Sequence, residues 1–175
     1  MKKIPALLFS IFLLNFGLAN ADAGTAIEDS AITAAVKAKM ATNSIISALD
    51  IKIETTKGVV KLEGNIKTTA EADTAVEIAS STEGVSDVDT SHLHVQGSNQ
   101  PLRDSFITAK IKGIYIKEKI FSDKDIALTN IHVETNEGIV YLKGEATREQ
   151  ADNAERLAKL VKGVKNVKSG LRIKG

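Results

Sequence analysis

A fourteen-residue pattern is written twice in this chain: IKIETTKGVVKLEG at 51–64 returns as IHVETNEGIVYLKG at 131–144. In each copy apolar and polar residues alternate, with Lys57 and Gly58 supplying a turn in the first, which predicts a β-hairpin. Helical patterns stand on both sides of each copy. The repeated object is therefore a whole small domain rather than a short tract, and the chain is a tandem of two such domains.

In the first unit Ile32, Ala35, Val36 and Met40 recur at three-to-four spacing and predict a helix capped by Asp29 or Ser30. After the hairpin, Ala70, Ala72, Ala75, Val76, Ile78 and Ala79 predict a second helix capped by Thr69, whose alanines imply close approach to the sheet. Gly84 marks its end, and Val85, Val88, Leu93 and Val95 form a last strand. The second unit repeats each step with Ile107 and Ile111, then Ile131, Val133, Val140 and Leu142, then Ala151, Ala154, Leu157 and Ala158, then Gly163, and finally Val164, Val167, Leu171 and Ile173. Gly64, inside a strand pattern, marks a bulge or a close approach.

Only one face of each strand alternates apolar, so both helices must cover that face, and a strand reached by a helical crossover should run parallel to its neighbour. The expected fold is α+β: two tandem αββαβ domains, each a three-stranded mixed sheet with two helices on one face. They span 29–96 and 104–175, joined by a linker at 97–103.

Lys2 and Lys3, the apolar run Ile4–Ala19 and the small residues Ala19 and Ala21 have the layout of an export signal over 1–21, with 22–28 a short linker. A membrane anchor competes, but the run is marginal for spanning and no cysteine follows it to accept a lipid. Export points to the bacterial periplasm, where disulfides are permitted. There is no cysteine, so stability must come from apolar burial. Units of about 70 residues are near the lower limit for a self-sufficient core, and packing one on the other is the natural remedy.

The net charge of +1 hides an asymmetry. Residues 29–96 carry six basic and ten acidic side chains, a balance of −4, and residues 104–175 carry fourteen and ten, a balance of +4. The second unit is the one suited to an anionic surface, unless the two charges simply attract each other within the monomer.

Taken together, Ile32 to Val36, Ile107 to Ile111, the two glycine-bounded hairpins, and Gly84 and Gly163 before a valine resemble the BON family, named for bacterial osmotically inducible and nodulation proteins. The resemblance covers nearly all of the chain after the leader. It implies an αββαβ fold, a periplasmic address, no catalytic residues and no cofactor. The roles it implies are phospholipid binding, envelope integrity, osmotic-stress response or chaperoning of exported proteins. The family's outer-membrane lipoproteins carry a lipidated cysteine, which this chain lacks.

Comparing the repeats separates shared core from candidate function. Ile32 to Ile51 spans 19 positions and Ile107 to Ile131 spans 24, so the second unit has five extra residues. If they extend the first helix, Ile107, Ile111, Ile114 and Phe121 face the sheet while Ile116 and Ile120 point away between lysines. Phe106, Lys112, Tyr115, Ile116 and Lys119 are then the candidate contacts with an anionic phospholipid surface: apolar tips enter the interface and ammonium groups meet phosphates. If they lengthen the loop instead, Ile120 and Phe121 are core, like Ile45 and Ile46, or the exposed pair packs on the first unit. The competing function is a holdase-like chaperone that shelters unfolded exported proteins on its Ala-rich helices or sheet edges.

Other chemistry finds little support. His92 and His94 share one side of a strand, but no cysteine or third histidine completes a metal site. His132 reads as an exposed strand position. Glu71, Asp73, Glu77, Glu149, Asp152 and Glu155 read as solvated helix faces. No nucleophile elbow or phosphate loop is present. The basic C-terminus from Lys159 to Lys174 lacks the Gly-x-x-Gly clamp and stacking aromatics of a nucleic-acid module.

Overall fold

A computed structural model of the protein describes residues 20–46, 51–98, 102–121 and 130–174. The expected leader lies outside the described residues apart from Asn20 and Ala21, which open the first helix. The element order is α1 (Asn20–Ala41), β1 (Ile51–Thr56), β2 (Val59–Ile66), α2 (Thr69–Ser80) and β3 (Asp87–Val95), then α3 (Arg103–Phe121), β4 (Ile131–Asn136), β5 (Ile139–Ala146), α4 (Arg148–Leu160) and β6 (Asn166–Ile173). This is the αββαβ order twice over. The two sheets have the orders β1-β2-β3 and β4-β5-β6, each with an antiparallel hairpin and a parallel third strand.

Each hairpin turn holds two residues in the left-handed region, Lys57 with Gly58 and Glu137 with Gly138, the backbone that matches the twist of a two-residue connection. The turn is tied to the helix before it. Asp29 accepts from the Lys57 and Gly58 amides at 2.7 and 2.8 Å, and Asp104 accepts in the same way from Glu137 and Gly138. A second tie joins helix to first strand, Thr33 to Thr55 at 2.7 Å and Thr108 to Thr135 at 2.8 Å. Asp29 therefore does not cap α1, which already runs from Asn20; it pins the hairpin across the domain.

The second helix of the first unit starts one residue earlier than the apolar pattern suggested. Thr68, not Thr69, is the cap, because Glu71 stands three residues on and closes a reciprocal capping box; Thr147 and Gln150 do the same for α4. Gly64 has a φ of 153° and stands beside a register shift between Lys61 and Glu63 in the pairing with β3, while its counterpart Gly144 shows a close approach. The φ of Gly144 is 127°, and a Cβ there would strike the Asn130 carbonyl, so at this hairpin the glycine is required by a close backbone approach.

Ile32, Val36, Met40, Val60, Leu62 and Val76 anchor the first core, and Ile107, Ile111, Val140, Leu142, Ala154 and Leu157 anchor the second. The helix α3 belongs to both. Its Ile107, Ile111 and Tyr115 face its own sheet, while Phe106 and Ala109, with Leu102 just before it, pack into the core of the first unit. Gly113 lies where α3 crosses α2: a Cβ there would come within 2.5 Å of the Glu77 carbonyl and 2.6 Å of the Ser80 Cβ. Polar contacts finish the joint. Lys110 pairs with Asp87 at 2.9 Å, Lys117 donates to the Val85 carbonyl at 2.8 Å, and Ser105 donates to Asp73. The two units are thus one body in which the second supplies a third helix to the first.

Candidate functional site

The five extra residues of the second unit extend its first helix. With Ile107 set against Ile32, the end of α1 at Ala41 corresponds to Ile116, and α3 continues to Phe121. The added turn carries Lys119. Lys112, Ile116 and Lys119, spaced four and three apart, lie on one side of the helix. Lys112 and Lys119 are exposed, and Ile116 is 38% exposed, one of few large apolar side chains in that state. The side chains of Ile120 and Phe121 lie outside the described residues.

Two of the sequence-derived contact residues sit elsewhere. Phe106 is 7% exposed and fills the first unit's core. Tyr115 is 3% exposed and donates its hydroxyl to the Ala154 carbonyl at 2.7 Å, in the second core. Burial of the phenol holds its pKa well above the ordinary value. The signal for Tyr115 was in the repeat itself, since its counterpart is the buried Met40. Phe106 replaces Ala31, an exposed residue, and nothing in the sequence says what covers it.

The helix joint also sets the local electrostatics. Burial pushes the Asp73 carboxyl up against the opposing Ser105 hydrogen bond and the Lys112 charge. Burial likewise raises Glu77, again opposed by Lys112 and supported by Asp73, and it lowers Lys117. Lys112 therefore faces two half-buried carboxylates on one flank and solvent on the other.

Raised carboxyl pKa values mean that the docked state favours the protonated forms. Their contribution is fully present below the unfolded carboxyl pKa and is lost as pH rises through the raised folded values. The joint should accordingly hold as pH falls from 7 into the carboxylate range, and Glu77→Gln should leave docking at pH 7 intact or firmer. Thermal melts of wild type and variant between pH 4 and 7 check this; a Glu77→Gln protein less stable at pH 7 than wild type would contradict it.

An interdomain cleft of about 300 Å³ adjoins this joint, with Val85, Val88, Ile114, Leu157 and Val161 among its lining and Lys110, Lys117 and Lys162 around it. Ser80 also lines it, its hydroxyl buried without a partner. The outer face of the second sheet is basic but partly neutralised: Arg172 and Lys174 share Glu145, and Lys168 sits 5.4 Å over the Tyr141 ring. Among the described residues no group of three His, Cys, Asp or Glu side chains is placed to hold a metal, and no helix is long and apolar enough to cross a membrane.

The BON domain model matches residues 28–97 and again 104–175, the two halves that share this fold. The chain belongs to the BON family. Among curated relatives it is 36% identical to osmotically-inducible protein Y of Escherichia coli, over 86% of this chain and 75% of that protein. It is 30% identical to the outer membrane lipoprotein DolP of Haemophilus influenzae, over 82% and 74%. A 21 kDa hemolysin of Actinobacillus pleuropneumoniae is 28% identical over 83% and 74%. In this BON tandem Ile116 and Lys119 are peculiar to the second repeat, while Lys112 on the same side of α3 has an exposed counterpart in Lys37.

Proposed function

We propose that the protein is a non-enzymatic component of the bacterial envelope, exported to the periplasm and active in osmotic stress, that binds anionic phospholipid surfaces through its second BON domain. Relatives named for osmotic induction and for the outer membrane support the envelope assignment. The observation that carries the lipid reading is the added turn of α3, which sets an exposed isoleucine between two exposed lysines, Lys112 and Lys119. The +4 balance of the second unit points the same way.

Insertion of one isoleucine contributes at most about 1.5–3 kcal/mol, and each lysine near an anionic surface about 1 kcal/mol. Attachment is therefore weak, reversible and sensitive to salt. Phe106 and Tyr115 take no direct part, since both are core residues.

The test is co-sedimentation with liposomes of graded anionic content. Ile116→Asp with Lys119→Glu should abolish binding while the circular dichroism spectrum is kept. Lys112→Glu is the wrong probe, because it would also place a third negative charge beside Asp73 and Glu77 and loosen the joint. Undiminished binding of the Ile116→Asp, Lys119→Glu protein would sink the proposal. A client-aggregation assay without lipid, run beside it, separates lipid attachment from a chaperone activity.

A further inference from the structure

The cleft between the BON domains is walled by both units, Ser80 and Val85 to Val88 from the first and parts of α3 and α4 from the second, so it exists only in the tandem. We propose that it binds a single-chain carboxylate, a fatty acid of medium length, with the head at Lys117 and Lys162 and the tail against Ile114, Leu157 and Val161.

Size and walls set the kind of ligand. A volume of about 300 Å³ stands at the lower end of the range for small-ligand sites. It suits one slim chain and excludes a two-chain phospholipid. Val85, Val88, Leu157 and Val161 give the cleft buried apolar walls. Leu160 lines it too, and at 71% exposed it is the most open large apolar side chain among the described residues. A bound tail would cover it.

Charge sets the head group. The lining holds Lys110, Lys117 and Lys162 against Asp87 and Glu118, an excess of one positive charge. Lys110 is spent on Asp87 at 2.9 Å, so a monoanion balances what remains. Lys117 gives one ammonium hydrogen to the Val85 carbonyl at 2.8 Å and has two more to give. Burial lowers its pKa against the attraction of Glu118, and an anion beside it would favour the charged form. Ser80, 4% exposed, adds a buried hydroxyl without a hydrogen-bond partner to the same lining. In a folded protein such a group marks a place that a water or a ligand completes.

The repeats differ here in the direction this ligand favours. Ser81, Thr82 and Glu83 after α2 are matched by Leu160, Val161 and Lys162 in the second unit. Two polar residues have become apolar and an acid has become a base.

Decanoate below its micelle concentration is the probe, with decylammonium as the control for charge and acetate as the control for the tail. Calorimetric titration of the protein should show saturable one-to-one binding of decanoate, with each control weaker by about tenfold or more. Methyl resonances of Leu160 and Val161 should move with decanoate while that of Ile116 stays. Lys117→Gln, which keeps an amide donor for Val85, and Leu160→Ser, at an exposed position, should each weaken binding by about tenfold. Ile116→Asp with Lys119→Glu, on the other side of α3, should leave decanoate binding unchanged, so its outcome is separate from that of liposome attachment. No saturable binding, decylammonium binding as tightly as decanoate, or both cleft variants binding like wild type would overturn the proposal.

Discussion

Phe106→Ala should destabilise the first BON domain although the residue belongs to the second. Truncating a buried phenylalanine costs about 3–5 kcal/mol when the site cannot collapse. Here the hole opens between Leu102, Ala109 and the first unit's core. The loss should be near the lower end, since the ring sits at a joint that can close partly. It should also split one cooperative unfolding transition into two, because Phe106 is a chief apolar link between the cores. Denaturation followed by circular dichroism, with a fluorescent label on each unit, reads both effects. A single transition displaced by less than about 1 kcal/mol would show that α3 merely lies against the first unit.

The same residue shows where sequence reading stops. The hairpins were legible because period-two alternation and the glycine turn are local, and the mixed sheet followed from the crossover. The face that α3 turns to its own sheet was legible too, since Ile107 and Ile111 repeat Ile32 and Val36. A helix buried on two sides has no clean amphipathic pattern, so Phe106 looked like an exposed apolar residue rather than the plug of a neighbouring domain. Tyr115 could have been placed in the core by its alignment with Met40. Asp29 with Asp104, and Thr33 with Thr108, are identical in both repeats, and that identity was the available signal for the ties that hold helix to hairpin.

The repeat comparison therefore works in one direction. Positions shared by both units are fold, but positions that differ divide between a partner inside the molecule and a partner outside it. Phe106, Lys110 and Gly113 differ from Ala31, Ala35 and Ala38 because an internal neighbour is there. Ile116 and Lys119 differ from Ala41 and from the residues beyond α1 with no such neighbour among the described residues, which is why they carry the functional proposal.

Gly113→Val is the second large expected effect, and its sign runs against intrinsic propensity. A glycine inside a helix normally gains roughly 1 kcal/mol when replaced by alanine. At this crossing the added Cβ would meet the backbone carbonyl of Glu77 and the Cβ of Ser80 at separations that real side chains do not reach. Neither is the free end of a flexible chain, so the helices must move apart, and overpacking of this kind costs about 1–3 kcal/mol. Separation also draws Lys110 from Asp87 and Lys117 from the Val85 carbonyl, so the whole joint yields together. Gly113→Val should keep the helix and sheet content of each unit, lower the melting temperature of the tandem and increase amide exchange along α2. Gly113→Ala should do the same more weakly, while Ala38→Val, at the matching exposed position of α1, leaves the tandem joint untouched. A Gly113→Val protein as stable as wild type would mean that the two helices do not cross at this glycine.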